Sequence, residues 1–582
     1  MTSTRHQSTT PILNRARFVV TAFGVAWTLL SLRLIQLQWW QQERFADRAE
    51  RQREYAEVIM ARPGDIVDRQ GRLVATTLTL RSLYVVPSRI SKPWTIASSL
   101  AGPLDLNADT LFEKIGDRHR HFVWVKRRLS SVEVEQVKQL ELPAGMWGFR
   151  DEYRREYPQG VVAAHVLGLR DIDGVGRGGV EEGLDPILSG EKGRRKLARD
   201  SRGRVMEILD DIEQPQQPGQ SVQLTLDLVV QLFAERELDA VMAEWKPESC
   251  CAIALDPKTG DVLAMATRPT FDPNHPERAV VEAWKNRAIA DIYEPGSTFK
   301  PFVVSFGLDQ QVLHKNDMFD CEDGEYRMGR RVLHDHHRYG TLNLTDVLVK
   351  SSNIGMAKVG ERLTNERLFE AATVFGFGRK TGIELPGELP GILRPLKEWT
   401  SYSTGSIPMG HELATTPLQL IAAHAALANG GLLMRPRIIL PCNGDSTAAV
   451  RRISETTVQT DVARWMVEVP MQEVVTRGTG KRARIPGYNV FGKTGTAQCI
   501  SPSGGYVHGK YISSFVCGAP VEDPRLLVLV VVNQSSVGGE TFGGKVAAPA
   551  AARILKNSLV YLRISPDEHL LNDANWKDDP PE

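Results

Sequence analysis

Glu294-Pro295-Gly296-Ser297-Thr298-Phe299-Lys300-Pro301-Phe302-Val303-Val304 decides how the rest of the chain is read. Pro and Gly shape the approach to a helix, and the apolar run behind them suits a buried one. A serine in its first turn has the helix N-terminus beside it, where backbone N–H groups stabilise a developing oxyanion. Lys300, three residues on, shares that helical face. A serine hydroxyl is a poor nucleophile without a base in reach, and Lys300 is the candidate base. Alone, the string also reads as an ordinary N-cap serine. The residues downstream decide.

Two further strings follow, Ser351-Ser352-Asn353 and Lys493-Thr494-Gly495-Thr496. Lysine ordinarily titrates near 10.4, whereas a useful base at neutral pH sits near 7 to 8. That gap is worth about 4 kcal/mol. Burial and a second cation supply such a term, and Lys493 is the candidate cation. Ser351 would relay the proton to a leaving amine, and Asn353 would hold the substrate amide. Each string has duplicates. Ser189-Gly190-Glu191-Lys192 repeats Ser-x-x-Lys but sits among Gly and charges, with no apolar helix behind it. Lys258-Thr259-Gly260 falls in a hairpin turn, and Lys380-Thr381-Gly382 in a loop rich in Gly and Pro. Lys493 follows apolar Val490 and Phe491, and its small residues would let a substrate backbone lie along a strand edge.

Gly487 to Thr494 also satisfies the phosphate-loop pattern G-x-x-x-x-G-K-[ST]. That pattern needs an apolar strand before it and a helix after it. Lys481 to Pro486 and Ser501 to Gly505 supply neither. Cys321, His334, Asp335, His336 and His337 crowd together, but a zinc site needs ligands at defined spacing, and a loop with surface histidines is the favoured reading. Gly174 to Gly179 mimics a dinucleotide loop with no strand before it. The six cysteines show no CxxC spacing, and adjacent Cys250 and Cys251 are poorly suited to a mutual disulfide.

With 582 residues the chain is too long for one core. Net charge is +1, so no global field argues for nucleic acid. Phe18 to Leu37 carries a single charge, Arg33, and is long enough to span a bilayer core of about 30 Å. Arg33 is close enough to the outer end to snorkel. Trp39 and Trp40 follow at the level of an aromatic belt, and Arg5, Arg15 and Arg17 precede the run, which favours a cytoplasmic N-terminus. No small-x-small cleavage site closes it. Gln41 to Arg48 reads as a helix leaving the membrane.

The chain divides into 1–17, a cytoplasmic tail; 18–38, a transmembrane helix; 39–235, a mixed pedestal segment; 236–565, a second domain; and 566–582, an acidic tail. In the pedestal, Leu80 to Val86 and Phe122 to Val125 read as strands. Lys192 to Arg199 reads as a solvated loop or edge strand. In the second domain, Cys251–Leu255 and Asp261–Ala266 flank the turn Asp256–Gly260 as a hairpin. Val347–Arg362 and Pro417–Ala428 have helical spacing, and Leu526–Asn533 has the length of a buried strand. Strands at both ends with helices between predict an α+β multidomain protein.

Taken together, these residues resemble a class B penicillin-binding protein, the monofunctional transpeptidase type. Arg62 to Leu73, Tyr157 to Gly168 and Gly178-Gly179-Val180-Glu181 look like its pedestal motifs. Asn286-Arg287-Ala288, Glu294 to Lys300, Thr416 to Gln419, Ala428 to Gly431 and Gly543 to Pro549 fit its transpeptidase domain. Thr404 to Gly410 departs from the family's Gly-Tyr-Gly-like stretch, which bears on the cleft wall. The resemblance implies an antiparallel sheet flanked by helices, on an elongated pedestal beyond one membrane helix. It implies that Ser297 is acylated by a stem peptide ending in D-Ala-D-Ala, or by a β-lactam. Lys300 would be the base, and Ser351 and Asn353 would act on the leaving group and the substrate amide. Lys493, Thr494 and Thr496 would bind the terminal carboxylate along the Gly495 strand. The backbone N–H groups of Ser297 and Thr496 would form the oxyanion hole. No metal or cofactor is implied. A membrane glycan polymerase is the implied partner, and the Cys321 to Ser352 stretch looks closest to division or sporulation types. A D,D-carboxypeptidase or β-lactamase uses the same trio, and a non-catalytic scaffold or sensor is the other alternative.

Overall fold

A computed structural model describes residues 10–41, 54–120, 122–199, 205–440, 456–500, 505–536 and 542–571. Helix α1 (Thr10–Ile35) continues as a wider turn through Gln36–Trp40. Arg15–Trp40 is long and apolar enough to cross a membrane, and Phe18, Trp27, Trp39 and Trp40 are exposed along it. The predicted helix beyond Gln41 lies outside the described residues, as do Cys442 and the tail from residue 572.

Two compact units account for the described chain. One draws on Met1–Ala61, Thr79–Tyr153 and Glu191–Pro218, the other on Arg62–Leu78, Arg154–Gly190 and Gly219–Glu582. In the first, Pro93–Leu104, Ala108–Gly116 and Ser131–Gln139 are helices over a core that includes Leu83, Leu100, Leu111 and Val137. Ser130 and Glu133 close a capping box at the third helix. The strand expectations at Leu80 and Phe122 are met by Leu73–Val85 and Val123–Leu129, which pair antiparallel. The basic stretch differs from its reading: Gly193–Arg199 is the middle strand of a three-stranded sheet, between Glu54–Ile59 and Val205–Gln214. A solvated charge run says nothing of how many neighbours its backbone has.

The second unit is built on α2 (Leu228–Trp245), β1 (Pro247–Leu255), β2 (Val262–Arg268), α3 (Lys300–Asp309), α4 (Leu344–Val349), α5 (Asn353–Val374), α6 (Pro417–Ala428), β3 (Phe491–Ile500), β4 (Tyr506–Ala519), β5 (Leu526–Ser535) and α7 (Gly543–Tyr561). The five strands form one antiparallel sheet in the order β2-β1-β5-β4-β3. This is the predicted hairpin and the predicted buried strand in one layer. Alternate residues of β5 enter two cores. Leu527, Leu529 and Val531 share a core with residues of α3 and α6, whereas Val528, Val530 and Val532 share one with residues of α2 and α7. Both faces are covered, so the strand reads as a continuous apolar run and not as an alternation.

Two early motifs brace this unit. Asp227 caps α2, and Arg72 joins it at 2.8 Å while Asp68 accepts from Leu228 N. Glu181 is fully buried and accepts from Arg155 Nε at 2.6 Å, Arg170 Nε at 2.7 Å and Tyr157 OH at 3.2 Å.

One helix expectation fails in an instructive way. Val347–Arg362 is not continuous: α4 stops at Val349 and α5 starts at Asn353. Ser351 sits at φ 58°, in the left-handed region, and Ser352 caps α5 by accepting from Gly355 N at 2.9 Å. The break presents Ser351 and Asn353 side by side.

Candidate active site

Ser297 lies in a 3-10 turn (Gly296–Phe299) that runs into α3. Gly296 has φ +55°, and a Cβ on it would lie 2.8 Å from Thr496 O. Glycine is therefore needed both for the turn and for its approach to β3. Gly495 answers from the other side, since a Cβ there would lie 2.4 Å from Ser514 Oγ and 2.9 Å from Thr298 Cγ2. The glycine of Lys-Thr-Gly thus lets the edge strand close on the Ser297 turn.

Lys300 and Lys493 are both fully buried. Lys300 Nζ donates to Ser351 O at 2.7 Å, Asn353 Oδ1 at 3.0 Å, Ser351 Oγ at 3.2 Å and Ser352 O at 3.3 Å. Lys493 Nζ lies 3.1 Å from the same Ser351 Oγ and 3.2 Å from Thr494 O. One hydroxyl therefore stands between two amines. Burial pushes Lys300 down to about 7, and the Asp335 carboxylate partly opposes the fall. Lys493 falls well below the ordinary lysine value, through burial first and the charge of Lys300 second. Two ammonium groups cannot both be cheap there, so each proton on one amine disfavours a proton on the other. The sequence argument assigned the fall of Lys300 to burial plus Lys493. In the structure the two amines share the Ser351 hydroxyl, so their repulsion weighs on both, and the Asp335 carboxylate is a further charge that acts on Lys300.

Asp335 is the main residue that sequence reasoning placed elsewhere. It was counted among candidate metal ligands. Its Oδ2 accepts from Ser352 Oγ at 2.6 Å, and its Oδ1 from Asn353 N at 2.5 Å and Ile354 N at 3.1 Å. A carboxylate at a helix N-terminus satisfies orphan donors and complements the dipole. Cys321 Sγ, another of the candidate ligands, lies 3.3 Å from Ser352 Oγ. Both residues are thus engaged with the Ser351–Asn353 loop. Glu294, three residues before Ser297, was read only as part of an approach. It accepts from Glu412 N at 2.9 Å and Tyr506 OH at 3.0 Å, and its Oε2 lies 2.8 Å from His411 Nδ1. Gly410, at the end of the divergent wall segment, has φ +80° and meets Gly296 O so closely that a Cβ would lie 2.1 Å from it.

Ser297, Ser351, Asn353, Thr494 and Thr496 line one cleft of about 1280 Å³. Lys300 and Lys493 lie behind it. Ser297 Oγ is not among the hydrogen-bond partners of Lys300, a contact that often tightens only when substrate arrives. Thr494 Oγ1 is 2.7 Å from Thr479 Oγ1, and Thr496 Oγ1 accepts from Gly543 N at 3.2 Å. The rival strings stand apart. Lys258 is exposed and paired with Asp523, and Lys380 is exposed. The phosphate-loop look-alike is excluded by its setting, because Gly492-Lys493-Thr494 lies inside β3.

A family model described as the penicillin binding protein transpeptidase domain matches residues 250–556. One described as the penicillin-binding protein dimerisation domain matches 58–224. The probable peptidoglycan D,D-transpeptidase PenA of Neisseria gonorrhoeae is 32% identical over 562 residues, 96% of this chain and 94% of its own. Stage V sporulation protein D of Bacillus subtilis is 33% identical, covering 88% and 81%. Peptidoglycan D,D-transpeptidase FtsI of Escherichia coli K12 is 32% identical, covering 88% and 86%. Among solved structures, penicillin binding protein 3 of Mycobacterium tuberculosis complexed with aztreonam aligns at TM-score 0.66 and 26% identity, covering 88% and 99%. Penicillin binding protein 2X of Streptococcus thermophilus aligns at TM-score 0.75 and 22% identity, covering 89% and 81%.

Proposed function

The chain belongs to the class B penicillin-binding proteins, and from that premise we propose that it is a peptidoglycan D,D-transpeptidase working through an acyl-enzyme on Ser297. The observation that carries the residue roles is the Ser351 hydroxyl held 3.2 Å from Lys300 Nζ and 3.1 Å from Lys493 Nζ, in the wall of the Ser297 cleft.

Neutral Lys300 takes the Ser297 proton as Oγ attacks the penultimate D-Ala carbonyl of a stem peptide, or a β-lactam carbonyl. The backbone N–H groups of Ser297 and Thr496 receive the oxyanion. The proton passes through Ser351 to the leaving nitrogen, and D-Ala departs. Asn353 holds the substrate amide. Thr494 and Thr496 hold the terminal carboxylate along the Gly495 strand. Lys493, whose charged form burial disfavours in the empty cleft, holds a proton more readily beside that carboxylate. A second stem peptide's amine then displaces Ser297 and forms the cross-link.

The catalytic domain is taken as 236–565, and 39–235 as a pedestal. The membrane helix, 18–38, holds both outside the membrane with the N-terminus inside, supported by Arg15 and Arg17 before the apolar run. A membrane glycan polymerase is the partner touched through helix and pedestal, in septal or sporulation wall synthesis. Fluorescent penicillin should label the protein covalently, and Ser297→Ala should abolish the label. Persistent label would refute the nucleophile, and rapid penicillin turnover would instead support a hydrolase. Imaging a tagged copy distinguishes septal from sidewall placement.

A further inference from the structure

The cleft holds more positive charge than one terminal carboxylate uses. Lys350, Arg477, Lys481, Arg482, Arg484 and Lys545 line it, and among its described lining residues there is no Asp or Glu. Arg477 is already paired with Asp346 at 2.7 Å and with Glu473. Lys481 and Lys545 are exposed. Lys350 is half-buried over the Tyr339 ring, and Lys545 lies over the Trp245 ring. None of these three lysines forms an ion pair among the described residues.

Their placement is not random. Lys481 follows Thr479 by two residues, and Thr479 is bonded to Thr494. Lys545 follows Gly543 by two, and Gly543 N is bonded to Thr496. Lys350 adjoins Ser351. The three therefore sit on segments bonded or adjacent to the threonines and Ser351, and they line the same cleft. The attacking amine must enter that cleft to reach an acyl group on Ser297.

We propose that Lys350, Lys481 and Lys545 form a second carboxylate-recognition region, which selects an acidic peptide as the amine-bearing acceptor. This rests on the acyl-enzyme reading above and deepens it. In the transfer step the acceptor N–C bond forms and the Ser297 Oγ–C bond breaks. The proton lost by the amine returns to Ser297 Oγ through Lys300. The lysines take no part in that exchange of bonds. They bind carboxylates on the peptide that carries the amine, and they favour its approach over that of a neutral amine.

The test uses the full chain in detergent, an acyl-D-alanyl thioester donor, and one acceptor peptide in two forms, with free or with amidated carboxylates. The free form should show the lower acceptor KM, and added salt should erode the difference. Exposed charge pairs are each worth about a two- to fivefold effect, so Lys481→Ala with Lys545→Ala should raise KM about tenfold for the free form and leave the amidated form unchanged. Lys481→Arg with Lys545→Arg should keep the preference. Equal KM for both forms in the parent, equal changes for both in the alanine pair, or loss of preference in the arginine pair would overturn the inference. Penicillin labelling of the same preparations separates the two readings. An unlabelled parent protein fails the acyl-enzyme reading, whereas a labelled parent without carboxylate preference fails only this one.

Discussion

Replacing Asp335 with Asn tests the base and its setting together. The side chain keeps its size, but the charge that supports the Lys300 proton is removed. Lys300 should then titrate below about 7, so the acylation rate, which on the proposed role of Lys300 as base rises as it loses its proton, should climb at lower pH than in the parent. The plateau should move the other way. Asn offers one acceptor oxygen where Asp offers two, and the carboxylate serves Ser352 Oγ at 2.6 Å, Asn353 N at 2.5 Å and Ile354 N at 3.1 Å. Losing one charge-assisted bond costs about 2 kcal/mol. Expressed wholly in the barrier, that is about a thirtyfold loss in rate. Stopped-flow acylation by a fluorescent penicillin, from about pH 5 to about pH 9, reads both quantities. An unchanged or higher midpoint would refute the link between Asp335 and Lys300. A lower midpoint with an undiminished plateau would refute the positioning of the Ser351–Asn353 loop by the carboxylate.

Lys493→Ala should slow acylation about ten- to a hundredfold, the loss of one charge-assisted contact to the substrate carboxylate. Lys258→Ala and Lys380→Ala should leave it unchanged, and equal losses at all three would show that the choice of Lys-Thr-Gly string was unfounded. Gly410→Ala should destabilise the protein by at least about 2 kcal/mol in denaturant melts and slow acylation, because it forces Ala to positive φ and pushes on Gly296 O. A wild-type midpoint and rate would count against that contact. Glu181→Ala leaves Arg155 buried without its carboxylate and Arg170 with Asp185 alone, a loss of about 3 to 5 kcal/mol. Thermal unfolding should show it as a clear drop in Tm, and an unchanged Tm would mean that the pair is solvated.

The trio was legible because covalent spacing alone carries it. Ser297 and Lys300 share a helical turn, and Lys493 follows an apolar strand start. The hairpin at Asp256–Gly260 and the buried strand at Leu526 were legible for the same local reason. Asp335 and Glu294 were not. Each is a carboxylate whose role depends on which N–H groups the fold brings to it: α5's N-terminus for one, the Gly410–Glu412 wall for the other. The break between α4 and α5 left a weak signal, since Ser352 is a good N-cap residue. Apolar periodicity runs straight across it, because Val347, Leu348, Ile354 and Ala357 are all buried on either side. The middle position of Gly193–Arg199 in its sheet was hidden by composition, as strand order is a tertiary property.

The two buried amines also tie the stability of the fold to proton concentration. In the unfolded chain Lys300 keeps its ordinary value of 10.5, whereas the folded site holds it near 7. Unfolding therefore takes up a proton between those values, so this group's contribution rises as pH climbs from about 7 to about 10.5 and is least favourable below about 7. The full difference is about 5 kcal/mol, comparable to the whole net stability of many domains. An uncharged side chain at position 300 would remove that penalty but leave Ser351 O, Ser352 O and Asn353 Oδ1 without their donor. On the proposed role of Lys300 such a variant would also lose acylation, so stabilising campaigns on this protein need an activity screen from the first round.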